Sequence, residues 1–305
     1  MSAGRACLDV TAARLRRWPL PQPDEDADKE ARGRVLVVGG TRETPGGVLL
    51  AATAALRAGA GKLQMAVGSS VALPLALAVP EGRVFALAES AHGEIAPEAA
   101  AAIAERAAHA QAVLIGPGMI DEATAVPLVR AVVPRLGVGT LVLDAAALAC
   151  LAADPAVVRG LAGRAILTPH AGEMAHVLGV DAATVRGDPL GTARRVAADW
   201  QAVVVLKGAV THVAAPCGGT YRNRAGNVGL ATSGSGDTLA GIVAGLAARG
   251  ATPLQAAVWG VYLHGRAGDR LARRVGPLGF LARELLAEVP ALLATVERPG
   301  QPRGR

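Results

Sequence analysis

Short, continuously apolar runs alternate with longer Ala-rich segments along most of this chain. A run without polar alternation predicts a strand buried on both faces, and the segments between runs have helical length and spacing. Strands are predicted at Val35–Val38, Lys62–Val67, Ala112–Ile115, Thr140–Leu143, Ala165–Leu167 and Ala202–Leu206. Helices are predicted at Val48–Ala58, Pro97–Ala110, Thr124–Val133, Glu173–Leu178 and Thr192–Asp199. The pattern predicts an α/β fold whose mostly parallel sheet is covered by helices on both sides.

The two ends of the chain depart from this alternation. A hairpin is predicted at His212–Ala215 and Thr220–Arg222, followed by helices at Leu239–Arg249, Pro253–Leu271 and Phe280–Ala294. At the other end, Met1–Leu20 predicts a short basic helix, and the prolines and acidic residues behind it predict a solvated linker. We therefore predict an N-terminal extension over 1–33, one large domain over 34–296 and a basic C-terminal tail over 297–305.

Composition narrows the class of protein. Of the 305 residues 51% are hydrophobic, which excludes a disordered chain, and the three widely spaced cysteines exclude a disulfide scaffold and fit a reducing cytoplasm. Aromatic residues make up 2%, too few for platforms that stack single-stranded nucleic acid, so no nucleic-acid partner is expected. No secretory signal is recognisable, and no apolar run reaches the roughly 18 residues of a membrane helix. We expect a cytoplasmic protein without a membrane partner.

Polar residues and glycines stand directly after several predicted strands, at Gly39, Gly116, Asp144, Thr168 and Lys207. Ligands of parallel sheets bind where strands end at the carboxyl edge, so this coincidence predicts an active site. Asp144 could touch a cation or a hydroxyl. Lys207–Thr211 could hold a phosphate or a nucleotide, or form only a turn. The formal net charge of +6 fits an anionic substrate or simply a basic surface.

The glycine-rich segment Asn227–Asp237 directly precedes a helix predicted to begin at Thr238. Backbone N–H groups at a helix start bind anions, and the helix dipole favours negative charge there. Asp237 is placed to accept a proton from a bound hydroxyl, and we expect the helix start to keep this carboxyl ionised. The alternative is a helix cap with flexible glycines. The spacing fits neither a Walker A loop nor a dinucleotide-binding fingerprint.

Other segments leave their role open. His170, in the loop Thr168–Glu173, could bind an anion or a polar substrate, or only cap the next helix. The glycines at 39–47 and 116–118 permit a ligand to approach the backbone, but tight turns require them as well. His264 is expected to be a packed helical residue and Cys150 a core residue. The remaining histidines show no metal-ligand spacing.

Taken together, these segments resemble ADP/ATP-dependent NAD(P)H-hydrate dehydratases, a family of the ribokinase-like superfamily. The matching segments keep the family's order over roughly residues 34–290; they are 38–61, 115–118, 168–173, 206–211, 226–241 and 260–269. The resemblance implies a ribokinase-like three-layer αβα fold. It also implies a lyase that repairs damaged cofactor. Such an enzyme uses ADP or ATP to remove water from the S epimer of NADH or NADPH hydrate.

The resemblance also implies roles for individual residues. Asp237 is the base on the C6 hydroxyl of the hydrate, and the anion hole consists of Gly234, Ser235 and Gly236. The nucleotide is bound by Lys207, Gly208, Ala209, Val210, Thr211 and Gly236. The hydrate is bound by Gly47, Gly118, His170 and Asp237, with Asn227 in the loop that leads to the base. Mg²⁺ is the expected metal, and no ligand for it is indicated.

Three positions depart from the family's pattern. Gly47 stands where members usually carry Ala, Ile120 where they carry a third Gly, and Ala146 where they carry a second Asp. Two other functions are therefore kept. One is a ribokinase-like kinase for a small alcohol such as a vitamin precursor, and the other is an inactive nucleotide-binding homologue. The Thr168–Glu173 segment favours the dehydratase over the kinase, and the intact Asp237 and glycine-rich loop favour an active enzyme over an inactive homologue.

The resemblance finally bears on partners. The family suggests a homotetramer, and bacterial members are typically ADP-dependent. Many relatives carry an additional epimerase domain at the N-terminus, for which residues 1–33 are too few. We therefore expect a separate epimerase to act in the same pathway. Because aromatic residues are scarce, we expect aliphatic side chains and glycine backbone to hold both ligands.

Overall fold

The computed structural model describes residues 6–24, 26 and 28–297, which form one sheet with helices on both faces. The sheet order is β1-β10-β9-β8-β7-β6-β5-β2-β3-β4. These strands are β1 Leu8–Asp9, β2 Arg34–Val38, β3 Lys62–Gly68, β4 Gly82–Leu87, β5 Ala112–Ile115, β6 Thr140–Leu143, β7 Ala165–Leu167, β8 Val203–Leu206, β9 Thr211–Ala214 and β10 Thr220–Asn223. Only β9 runs antiparallel to its neighbours β8 and β10. The predicted mostly parallel sheet and the predicted hairpin are both confirmed.

The helices follow the predicted alternation, with shifted ends. They are α1 Ala12–Arg16, α2 Pro45–Arg57, α3 Ser69–Ala78, α4 Ala100–Ala107, α5 Glu122–Val132, α6 Cys150–Ala153, α7 Ala156–Arg159, α8 Ala171–Leu178, α9 Ala182–Gly187, α10 Pro189–Trp200, α11 Ser235–Ala248, α12 Pro253–Arg274 and α13 Ala282–Glu297. Short 3₁₀ turns lie at 97–99, 133–135, 145–149 and 228–230.

The central strands are buried on both faces, and each face has its own hydrophobic core. One core joins the sheet to α2, α11, α12 and α13. The other joins it to α4, α5, α8 and α10. This is the three-layer αβα arrangement. Apolar runs without polar alternation predicted it, because a strand covered on both sides has no face that must contact water.

Close packing between α2 and α11 fixes where α11 begins. Two glycines of α11 face the backbone of α2: a Cβ on Gly241 would lie 2.2 Å from the carbonyl oxygen of Ala51. At Gly245 the corresponding distance, to the carbonyl oxygen of Ala55, is 2.4 Å. Only glycine allows the two helices to approach this closely. The first turn of α11 is therefore mounted rigidly above the sheet.

The N-terminal extension is less separate than its composition indicates. β1 adds to the sheet edge beside β10, and Leu15 and Leu20 are buried in the core. The carbonyl oxygen of Trp18 accepts a hydrogen bond of 3.0 Å from Trp259 Nε1. The predicted helix over Met1–Leu20 is limited to Ala12–Arg16, and residues 1–5 lie outside the described part. The division at residue 33 stays a prediction, as does the 297–305 tail, which lies outside the described residues except for Glu297.

The pattern missed the elements between β3 and α4. Helix α3 contains Pro74, whose lack of an N–H group argues against a helix, and edge strand β4 is only partly buried. Leu73 and Leu77 of α3 are exposed. None of the helices in the described residues has the length and apolar character needed to cross a membrane.

Candidate active site

The predicted strand-end residues meet along one edge of the sheet. Strands β8, β7, β6, β5 and β2 are consecutive neighbours. The residues that follow them, which are Lys207, Thr168, Asp144, Gly116 and Gly39, therefore stand in one row. The parallel strand order brings these distant segments together, and the row marks the carboxyl edge at which parallel sheets bind ligands.

Asp144 is the centre of a charged network in this row. Its Oδ1 accepts hydrogen bonds from Thr168 Oγ1 at 2.8 Å and from Lys207 Nζ at 3.0 Å. Asp144, which by its sequence position could touch a cation or a hydroxyl, contacts one of each within the protein: the Lys207 ammonium and the Thr168 hydroxyl. This ammonium also lies 3.6 Å from Glu173 Oε2. Burial alone would lower the pKa of Lys207, but the carboxylates of Asp144 and Glu173 outweigh it and raise the pKa. Lys207 is therefore a fixed positive charge.

Asp237 lies in the first turn of α11, which begins at Ser235 rather than at the predicted Thr238. Burial raises the pKa of its carboxyl to about 6, and the negative charge of Asp144 acts in the same direction. Lys207 and the N–H group of Gly118 partly offset this rise. The expected stabilisation of the ionised form is therefore outweighed by desolvation. A carboxyl with such a pKa suits a general base near neutral pH.

The turn before α11 has the backbone geometry of an anion site. Gly234 precedes the helix with φ at +83°, a conformation that glycine adopts without strain. The first N–H groups of a helix have no partner within the helix. Of the three predicted anion-hole amides, that of Ser235 donates to the carbonyl oxygen of Thr232 at 3.2 Å. The amides of Gly234 and Gly236 are thus the better candidates for an anion.

A cavity of about 760 Å³ opens beside this turn. Eight predicted site residues line it: His170, Lys207, Gly208, Ala209, Thr211, Asn227, Ser235 and Gly236. Asn223 and Ala225 lie outside every segment that the sequence singled out. The other lining residues belong to the matching segments 226–241 and 260–269 but were assigned no individual role: Gly226, Val228, Leu230, Ala231, Thr232, Leu239, Val261, His264 and Gly265. Within the described residues no Phe, Tyr or Trp contributes to the lining. The wall of aliphatic side chains and backbone agrees with the low aromatic content.

Five other predicted site residues do not line this cavity: Val210, Gly234, Asp237, Gly47 and Gly118. The two glycines Gly47 and Gly118 instead contact each other. A Cβ on Gly47 would lie 2.4 Å from the backbone nitrogen of Gly118. Thr44 Oγ1 also donates to the carbonyl oxygen of Gly118 at 2.7 Å. Since the Gly118 N–H group acts on Asp237, this glycine pair lies on a second side of the carboxyl.

His170 does cap a helix, which is one of the two roles that its sequence position allowed. Its Nδ1 accepts from the backbone N–H groups of Gly172 at 3.0 Å and Glu173 at 3.1 Å. The Glu173 carboxylate in turn accepts a hydrogen bond of 2.6 Å from the backbone N–H group of His170. Because Nδ1 is an acceptor, the neutral ring carries its proton on Nε2. The cap and the cavity are compatible, since the ring also lines the cavity.

Asn227 lines the cavity, and one polar atom of its side chain has no hydrogen-bond partner in the described structure. Its Oδ1 accepts from the Gly229 N–H group at 3.0 Å and starts the short turn at 228–230. Its Nδ2 is buried without a hydrogen-bond partner in the described structure. An unpaired buried donor costs free energy, and a ligand acceptor would relieve that cost.

The structure also reveals a contact that sequence reasoning missed. His264 of α12 was expected to be a packed residue, but its Nε2 lies 3.0 Å from Ser235 Oγ and its ring lines the cavity. His264 lies in the matching segment 260–269, but neither its spacing nor the resemblance assigned a role to its side chain. Only the crossing of α12 over the start of α11 brings the two side chains together.

The described residues hold no cluster of three His, Cys, Asp or Glu side chains that could bind a metal. This does not conflict with Mg²⁺, which usually keeps several waters and binds through one or two carboxylates plus substrate phosphates. Glu173, beside Lys207, is a carboxylate near the cavity that keeps partial solvent contact, with 22% of its side chain exposed. The protein carboxylates near the cavity therefore fit a Mg²⁺ ion whose other ligands are nucleotide phosphates and water.

The sheet order, the helix layers and the helix-start anion site together define a ribokinase-like fold. A ribokinase-like superfamily protein from Enterococcus faecalis has a similar structure, with a TM-score of 0.82 and 25% identity over 97% of this chain and 98% of the other. Within this class, the model of the NAD(P)H-hydrate dehydratase family matches residues 35–291. The chain belongs to that family, as the motifs predicted.

Two individual proteins support this assignment. An ADP-dependent (S)-NAD(P)H-hydrate dehydratase of Xanthomonas campestris is 50% identical over 289 residues, which covers 95% of this chain and 97% of the relative. The structure of an ADP/ATP-dependent NAD(P)H-hydrate dehydratase of Bacillus subtilis, co-crystallized with ATP/Mg²⁺, has a TM-score of 0.79 at 28% identity. It covers 96% of this chain and 100% of the other. Bifunctional NAD(P)H-hydrate repair enzymes also match, and this chain spans about half of their length.

Proposed function

We propose that this protein dehydrates the S epimer of NADH or NADPH hydrate, with ADP or ATP as co-substrate. The observation that carries the proposal is the position of Asp237. A carboxyl with a pKa near 6 lies at the start of α11, beside the buried Lys207 charge and next to a large cavity. A base, a phosphate-binding turn and a cation are the parts that phosphoryl transfer to a hydroxyl requires.

Hydroxide is a poor leaving group, so the hydrate loses water slowly by itself. Asp237 accepts the proton of the C6 hydroxyl while that oxygen attacks the terminal phosphorus of the nucleotide. The bond to the leaving phosphate breaks, which converts ADP to AMP or ATP to ADP. The ring nitrogen then expels phosphate from C6, and loss of a proton from the neighbouring carbon restores the dihydronicotinamide. The enzyme is thus a lyase that uses a kinase-like site.

The nucleotide fits the cavity between β8 and α12. Lys207, Gly208, Ala209, Val210 and Thr211 leave the end of β8 and would hold its phosphates and sugar. Gly236 would contact the terminal phosphate, and the amides of Gly234, Ser235 and Gly236 would form the anion hole. The Ser235 amide would have to exchange its present bond to Thr232 for one to the phosphate.

The hydrate would approach Asp237 from the side of Gly47 and Gly118. The missing Cβ of Gly47 lets its loop pack directly on the backbone of Gly118, which keeps the two loops close together beside Asp237. His170 and Asn227 would bind polar groups of the hydrate from the cavity side. This arrangement places the hydroxyl between the base and the terminal phosphate.

Mg²⁺ would be held by nucleotide phosphates and water, with Glu173 as a protein ligand. When bound, it screens the phosphate charge against the approaching oxygen. The chain's own contribution is the fixed charge of Lys207, which Asp144 and Thr168 hold in place.

Incubation with NADH hydrate and each nucleotide tests the proposal. We expect the absorbance of reduced nicotinamide to recover with ADP or ATP and one phosphate to be released per turnover. No recovery with either nucleotide would contradict it. A vitamin-precursor kinase would instead accumulate a stable phosphoester, and an inactive homologue would bind nucleotide without turnover.

The assembly and surroundings of the enzyme are part of the same proposal. We infer a homotetramer in the cytoplasm, and the exposed Leu73 and Leu77 of α3 form an apolar face suited to contact with another copy. An epimerase would supply the S epimer, because half of each bifunctional relative lies outside the match. Sedimentation of Leu73→Glu against the unchanged protein tests the assembly; an unchanged mass would exclude this face.

A further inference from the structure

The contact between Ser235 and His264 connects two helices at the start of α11. Ser235 is buried and is the first residue of α11, two positions before Asp237. Its Oγ lies 3.0 Å from His264 Nε2 of α12. The proposed reaction uses the backbone amide of Ser235 but neither of these two side chains. Their contact therefore has no function in that reaction as it stands.

Helix α12 is a fixed support for the histidine. Asn223 Nδ2 donates to the carbonyl oxygen of Val261 at 3.0 Å, one turn before His264. The Gly226 N–H group donates to Asp269 Oδ1 at 3.1 Å, just over one turn beyond it. These bonds attach α12 to the loop between β10 and α11 on both sides of the histidine. A ring mounted in this way cannot follow Ser235 if the turn moves, so the contact restrains the turn.

A serine bonded to a histidine in a cavity could also be a nucleophile with its base. The electrostatics argue against that role. Desolvation lowers the pKa of His264 to about 4; a hydrogen bond with the Ser235 backbone opposes this shift, and the charge of Lys207 adds to it. No carboxylate of the described residues forms a hydrogen bond or ion pair with the ring. So weak a base does not activate a hydroxyl, and the ring is neutral at physiological pH.

We propose that His264 is a positioning residue: its neutral ring holds Ser235 Oγ and thereby fixes the first turn of α11. The proposal rests on the function proposed above. With the turn fixed, the Gly234 and Gly236 amides and the Asp237 carboxylate keep one orientation toward the terminal phosphate. Preorganised donors stabilise the charge that develops in the transition state. Loss of the contact therefore lowers kcat more than it weakens nucleotide binding.

Four variants test the contact: His264→Leu, His264→Gln, Ser235→Ala and the double variant with Ser235→Ala and His264→Leu. Ser235→Ala keeps the backbone amide and removes only the hydroxyl. We expect each of the two disruptive single changes to lower kcat about 10- to 100-fold with the nucleotide KM within about threefold. The double variant should be no slower than the slower single one, because both remove the same interaction. Gln places an amide near the position of Nε2 and should restore most of the rate.

His176→Leu is the matched control, since this helical histidine is exposed on α8 and contacts Glu122. It should leave kcat unchanged. Additive losses in the double variant, or a normal kcat in His264→Leu, would overturn the proposal.

Hydrogen exchange followed by mass spectrometry gives a readout that needs no turnover. In His264→Leu and Ser235→Ala the amides of residues 232–237 should exchange at least about threefold faster, and those of α2 and α4 should not change. Unchanged exchange at 232–237 would also overturn the proposal. If the unchanged protein does not convert the hydrate, the proposed function fails, and the exchange result still decides whether His264 fixes the turn.

Discussion

The Asp237 carboxyl has charged side chains on one side and glycine backbone on the other. On one side, the sheet edge supplies charged side chains, with Asp144 bonded to both Thr168 and Lys207. On the other side, Gly47 and Gly118 supply bare backbone without any charge. The charged side sets how tightly Asp237 holds its proton, and the glycine side sets the shape that a ring must fit. Different substitutions should therefore change the proton affinity of Asp237 and the shape of the site beside it.

Among the substitutions that follow, removal of the Asp237 carboxylate should have the largest effect on kcat. We expect Asp237→Asn to lower kcat at least about a hundredfold, since it removes the general base, while nucleotide binding is retained. Single-turnover rates and calorimetric titration with ADP check this. A rate near that of the unchanged enzyme would refute the role of Asp237 as the base.

The same variant should be more stable than the unchanged protein at pH 7. The pKa of Asp237 is raised from 3.8 to about 6, so the folded state holds this ionised carboxyl unfavourably. The penalty is present above pH 6 and is relieved as the pH falls toward 4. We expect a gain of up to about 3 kcal/mol in the free energy of unfolding at pH 7, which vanishes below about pH 4. Denaturant unfolding at both pH values measures it, and an equal gain at both would exclude this origin.

Changes on the charged side should alter the pH profile in opposite directions. Asp144→Asn removes a negative charge and should lower the pKa of Asp237, which moves the acid limb of kcat to lower pH by about 0.5–1 unit. Lys207→Met removes a positive charge and should move the limb to higher pH. Both should slow the reaction about tenfold or more, and only Lys207→Met should greatly weaken nucleotide binding. Shifts of the same sign would show that the network does not act through charge.

The glycine side should give the smallest effect. Gly47→Ala brings a Cβ to 2.4 Å from the Gly118 nitrogen, so the two loops must move apart. Although family members usually carry Ala here, the loops of this chain pack too closely for a Cβ, so we expect the KM for the hydrate to rise about three- to tenfold, corresponding to about 1 kcal/mol, with the pH profile unchanged. Gly46→Ala is the control, because its added Cβ meets nothing within 4 Å. An equal rise of KM in both variants would contradict the idea that contact between Gly47 and Gly118 shapes the hydrate site.

Much of the fold could be predicted because its strands are buried on both faces. Such strands appear as continuous apolar runs, and the bounds of Ala112–Ile115, Thr140–Leu143 and Ala165–Leu167 were predicted to the residue. Helix α3 was missed because Pro74 interrupts its pattern, and β4 because an edge strand is only partly buried. The N-terminal strand β1 was missed because two residues give no periodicity.

The candidate site divides in the same way. Contiguous segments such as Lys207–Thr211 and Asn227–Asp237 were recognisable, since several glycines beside a charged residue at an element boundary indicate contact between backbone and a ligand. Their roles stay predictions until the variants are measured. The contacts of His264 and Asn223 could not be predicted, because each depends on a residue of another helix or strand that lies far away in the sequence.

The sequence by itself determined the alternation of the central buried strands with helices, and the family. Local periodicity and short motifs encode these features within a few residues of chain. The tertiary structure decided the proton affinity of Asp237, the pairing of Asp144 with Lys207 and the contact of Ser235 with His264. Each depends on distances between segments that lie far apart in the chain, and both desolvation and Coulomb interactions change steeply with such distances.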